Sequence, residues 1–157
     1  MIITYDKANG YLKKWQKILR LRDWDIKIKL VEEEWRKSGD IKVDECNKQA
    51  ILMLNNKNPK VKNTEEVIIH ELIHLRLWKM DQMIERLINN LYGEDEKDPK
   101  RNVMYSEFMI ALEKTTGELT KSFVALAAEN KEFSFGYVEE KVRKELNSNI
   151  KSNYSDM

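Results

Sequence analysis

The stretch TEEVIIHELIHLRLW, residues 64–78, decides how the rest of the chain is read. From Val67 to Trp78 nearly every position is apolar, and Arg76 is the one charge outside His70-Glu71-Leu72-Ile73-His74. Glu65 and Glu66 suit the electropositive first turn of a helix, and Thr64 is a good N-cap, so a helix is expected from about Glu65 to Trp78. A helix apolar almost all round belongs at the centre of a fold. Polar groups gathered on one face of it are costly to bury without a partner. At roughly 100° per residue, positions four apart sit about 40° apart and one turn along. Both imidazoles therefore reach one point in space, with Glu71 on the same side. This HExxH spacing suits two histidines on one metal ion and a carboxylate that holds and deprotonates a metal-bound water.

His70 and His74 are the two histidines among 157 residues, so no third histidine can complete a metal site. Cys46, the lone cysteine, precedes the motif on a strand or turn and is a poor ligand candidate. A catalytic zinc needs a third protein ligand and an open position, so an acid is required. Glu85, Glu107, Glu113 and Glu118 follow the motif. In the long helix expected over 103–129, Tyr105, Phe108, Leu112, Thr116, Leu119, Phe123 and Leu126 form an apolar stripe. Glu107 and Glu118 fall on the opposite face with Lys114 and Lys121, whereas Glu113 borders the stripe beside Met109, Thr116 and Gly117. Helix-face geometry favours Glu113, with Glu107 the alternative.

The remaining elements follow from periodicity. Residues 6–21 read as an amphipathic helix capped by Asp6. Ile26, Ile28 and Leu30 alternate with Lys27 and Lys29 in a half-buried strand. IKVDE (41–45) and QAILMLN (49–55) read as two strands joined by a turn at Asn47-Lys48. The second lacks polar alternation and is expected to be covered on both faces. A short helix ends at Gly93, a charged loop follows, and after Asn130 the chain turns polar, with a weak helical stretch at 137–147 and a frayed tail. The chain divides into one α+β domain, 1–130, and a polar extension, 131–157, partly helical or disordered.

Composition narrows the partners. With 28 Lys+Arg against 27 Asp+Glu the net charge is +1, which argues against a polyanion-binding role. The basic loops KNPKVKN (57–63) and DEKDPKRN (95–102) lack interleaved aromatics, so nucleic acid is not expected. One cysteine excludes an intrachain disulfide. The N-terminus lacks an apolar signal region, and Val67–Trp78 is too short to span a bilayer, so no membrane association and a cytoplasmic location are expected. Trp78, one turn past His74, is expected to shape a cleft. Trp15 and Trp24 are expected in the core.

The blocks LRLRDWDIKIKLV, GDIKVDECNKQAILMLN, EEVIIHELIHLRL and EKTTGELTKSFVAL resemble the small gluzincin-type metallopeptidases called minigluzincins, over roughly Leu12 to Ala128. The resemblance implies a zincin-like α+β fold: a small twisted sheet of three or slightly more strands, packed on an active-site helix and a following glutamate helix. It implies one zinc ion held by His70, His74 and a glutamate within a pattern like ExxVxxLTxAL. That pattern falls on Glu113, Thr116, Leu119, Thr120 and Phe123, with Thr116 departing from the usual apolar residue. It also implies zinc-dependent hydrolysis of peptides or proteins with Glu71 as general base. QAILMLN then corresponds to the edge strand that binds substrate, with Ile51 and Met53 at the cleft. Tyr92, Tyr105 and Tyr137 are candidates for stabilising the oxyanion. The alternative is a non-catalytic zincin-like domain that binds a protein partner, with zinc structural or absent.

Overall fold

The computed structural model describes residues 1–155, with side chains described through Ser148. Helix α1 spans Tyr5–Ile18 and starts from Thr4, whose hydroxyl accepts from the Lys7 amide; Asp6 lies in the first turn and is not the cap. Three strands follow: β1 (Asp25–Val31), β2 (Gly39–Asp44) and β3 (Gln49–Asn55). Helices α2 (Thr64–Arg76), α3 (Trp78–Tyr92), α4 (Pro99–Ala127) and α5 (Gly136–Ser155) complete the chain. The class is α+β with a mixed three-stranded sheet.

The strand order is β1-β3-β2. The β2–β3 hairpin is antiparallel, and its turn is fixed by Asp44, which accepts from the Asn47 amide. β1 joins the other side of β3 in parallel. QAILMLN is thus the central strand, not an edge, and the strand bordering open space near the motif is β2. Register explains the burial. Rows Ile26–Ala50–Val43 and Ile28–Leu52–Ile41 line the inner face, while Lys27–Ile51–Lys42 lies outside. Ile51 is 48% exposed, so β3 is covered on one face and not on two.

α2 runs beneath the inner face of the sheet, with α1 and α4 against its other sides. Val67, Ile68, Ile69, Leu72, Ile73 and Leu75 are all buried, as its composition requires. Its cap is Asn63, not Thr64: Asn63 Oδ1 accepts from the Glu66 amide, while Nδ2 donates to the Asn130 and Glu132 carbonyls. The helix ends at Arg76, and after Leu77 the chain starts α3 at Trp78.

α4 starts earlier than periodicity predicts because Asp98 caps it ahead of Pro99, proline being preorganised for a first helical position. Its buried ridge is Leu112, Thr116, Thr120 and Val124, whereas Leu119 and Leu126 are exposed. The small threonines let α4 lie close to α2. α5 is longer than the weak stretch predicted, and residues read there as tail are helical through Ser155; residues 156–157 lie outside those described. Glu65 ties these parts together. Its buried carboxylate accepts from Lys14 Nζ and Trp15 Nε1 on α1, and from the amides of Glu129 and Asn130 after α4.

Candidate metal centre

His70 and His74 project from α2 into a cleft of about 600 Å³ whose lining includes Gly39 and Asp40 of β2, Glu71, Trp78, Met109 and Glu113. The imidazoles lie Nε2 to Nε2 at 3.2 Å. Glu113 crosses from α4 to bring Oε1 within 2.9 Å of His74 Nε2 and Oε2 within 3.5 Å of His70 Nε2. His70, His74 and Glu113 therefore form a group whose ligand atoms could hold one metal ion. The spacing can be tested against coordination geometry. Metal–ligand bonds of about 2.0–2.1 Å at a tetrahedral angle separate ligand atoms by about 3.3–3.4 Å. The two imidazole nitrogens, 3.2 Å apart, lie close to that value, and each faces a different oxygen of Glu113, at 3.5 and 2.9 Å, so the donor set suits a small divalent cation.

The electrostatics agree. Hydrogen bonding to His70 and His74 holds the Glu113 carboxyl far below the usual carboxylate range, against the opposing effect of burial. Burial pulls the His74 pKa down, but the hydrogen bond and charge of Glu113 outweigh it and raise it. Glu113 is half exposed, as suits a ligand at the mouth of a cleft.

His70 is oriented from behind. The Thr120 hydroxyl donates its one proton to the Thr116 carbonyl at 2.7 Å and lies 3.5 Å from His70 Nδ1. Toward the imidazole that oxygen is an acceptor. With Nε2 on a metal ion, His70 would carry its proton on Nδ1, where this oxygen can accept it.

Glu71 is buried, 8% exposed, at the cleft wall. Burial raises its pKa; the histidines oppose this, while Asp40 and Glu113 add to it. Its position depends on Gly39. A Cβ there would lie 2.4 Å from Val67 Cγ1 and 3.3 Å from both Glu71 Cγ and Oε1. Only the bare glycine backbone lets β2 lie this close to α2. Asp40, next in β2, is held ionised by Lys37 at 2.9 Å and Lys42 at 3.0 Å.

Glu107, Glu85 and Glu118 lie outside the ligand group, and Cys46 is an exposed free thiol. Trp78 lines the cleft as expected. Ile51 and Met53 do not: β3 is central, and Ile51 faces a separate shallow groove with Lys27 and Lys42 on the outer face of the sheet. Of the three tyrosines, Tyr137 lines the cleft from the start of α5, whereas Tyr105 packs against the Arg101 guanidinium. Gly39, Asp40 and Glu66 escaped sequence reasoning. The glycine immediately before an alternating strand was the one available sign of a close backbone approach.

No protein-family model, no curated protein and no solved structure matches the chain. Among the described residues, no helix is long and apolar enough to cross a membrane.

Proposed function

We propose that this chain is a zinc-dependent metallopeptidase of zincin-like design. The observation that carries the reading is the convergence of ligand atoms of His70, His74 and Glu113 within 4.8 Å of one another, with Glu71 buried beside them. His70, His74 and Glu113 would hold the ion, which when bound supplies a Lewis acid that acidifies a water and polarises a peptide carbonyl. Glu71 accepts the proton of the attacking water and passes it to the leaving amine; its raised pKa suits both halves of that transfer. β2 is the edge strand at the cleft, so an extended peptide adds alongside Gly39–Ile41 by main-chain pairing. Thr120 holds His70 in the tautomer the ion needs.

The test joins metal content to turnover. Purified protein should carry close to one zinc per chain, and an unfolded protein substrate should be cut. Glu71→Ala should abolish cutting while zinc is retained. Glu113→Ala should lose the metal, whereas Glu107→Ala should keep it. Zinc binding without cleavage by the wild type would favour the non-catalytic, partner-binding alternative, and absence of zinc would sink the peptidase reading.

A further inference from the structure

One turn before His70 on α2, Glu66 presents an unanswered charge to the same cleft. Its side chain is half-buried and lines the cleft with Val61, Val67 and Tyr137. Its Oε2 is shielded from solvent and, among the described residues, has no hydrogen-bond partner. A buried acceptor left unpaired is destabilising, and more so when charged. The neighbouring cations do not relieve it. Lys121 acts on Glu66 only through space, and Lys37 is engaged with Asp40. Neither these nor Arg36 forms an ion pair with it. Burial accordingly pushes the Glu66 carboxyl up, against the pull of Lys121 and His70.

We propose that Glu66 anchors a cationic side chain, Arg or Lys, of the peptide bound in the cleft, at a residue flanking the scissile bond. The reach is right. Four residues separate Glu66 from His70, about 6 Å along the helix axis. An Arg or Lys side chain leaving a backbone held at the metal centre spans that distance. The cation fills the vacancy left by the missing partner, and in the low-dielectric wall a charge-assisted contact is stronger than on an open surface. Val61 and Val67 pack the aliphatic stem of the same side chain.

This inference rests on the cleft binding an extended peptide, as proposed above, and its test separates binding from turnover. Two ten-residue alanine-based peptides, one with a single central arginine and one with norleucine there, are titrated calorimetrically into zinc-loaded Glu71→Gln protein. A sliding register lets the one arginine find Glu66. The arginine peptide should bind about tenfold tighter or more, the range of a charge-assisted hydrogen bond. Adding Glu66→Gln should bring the ratio to about one, and Glu66→Lys should reverse it in favour of the norleucine peptide. Equal binding of the two peptides, or a preference that survives Glu66→Gln with zinc content intact, overturns the assignment. Cleavage of the arginine peptide by the wild type is scored separately. Tight binding without a cut bond would leave Glu66 as the anchor and remove the peptidase reading.

Discussion

Replacing Glu65 by glutamine should unfold this protein more readily than any conservative change on its surface. The carboxylate is fully buried and accepts four hydrogen bonds: Lys14 Nζ and Trp15 Nε1 on Oε1, both at 2.8 Å, and the amides of Glu129 at 2.8 Å and Asn130 at 3.2 Å on Oε2. Glutamine keeps one acceptor oxygen and turns the other into a donor. Whichever way the amide is rotated, two of the four N–H groups then face another donor. Each lost bond to a charged group is worth about 1.5–3 kcal/mol, so the pair costs about 3–5 kcal/mol after Lys14, 36% exposed, regains part of its hydration. For a chain of this size that is a fall in Tm of roughly 10–15 °C. Thermal and urea unfolding of metal-free protein, followed by circular dichroism, measures it without a contribution from bound ion. The pH dependence gives a second handle. Burial works to raise the Glu65 pKa, but its donors outweigh this and hold it below the usual carboxylate range. Its stabilisation is therefore present above the unfolded carboxylate value and is lost as pH falls through the folded one. The mutant should show a flatter loss of stability between about pH 5 and 3 than the wild type. A cost below about 1 kcal/mol, or an unchanged acid slope, would refute the view that Glu65 joins α1, α2 and the end of α4.

Gly39→Ala drives a methyl group into Val67 and Glu71; kcat for peptide hydrolysis should drop on the order of a hundredfold while zinc content stays near that of the wild type, and full activity would contradict the close approach of β2 to α2. Thr116→Val should raise stability by about 1 kcal/mol in urea unfolding, because the Thr116 hydroxyl is buried without a partner among the described residues and valine keeps its shape.

The site was more legible in the sequence than the sheet around it. His70, Glu71 and His74 announce themselves by spacing on a helix too apolar to lie anywhere but the centre. Glu113 followed from its place on a helix face, and it joins the two histidines. The apolar stripe of α4 is only in part its buried ridge: burial follows Leu112, Thr116, Thr120 and Val124, since α4 packs on α2 through small polar residues that hydropathy does not mark as interior. The order of the strands was not legible. Nothing local tells β3 that β1 will pair with it in parallel across the intervening β2, which makes QAILMLN the central strand and β2 the edge. Gly39, Asp40 and Glu66 draw their roles from neighbours distant in sequence, which no window of residues contains. The caps at Thr4, Asn63 and Asp98 displaced helix starts by a few residues, the usual reach of such errors.

The ligand group is divided unequally between two helices. His70 and His74 belong to a helix fixed by apolar packing on several sides, whereas Glu113 arrives on α4 after the whole of α3 and a charged loop. An ion bound there would act as a clasp on the excursion from 75 to 112, tying its far end to the centre of the molecule at the cost of one loop closure. Removing the ion would loosen that excursion first and leave the sheet and α2 in place. Hydrogen exchange along α3 and the first half of α4 would then report metal occupancy more sensitively than any global unfolding signal.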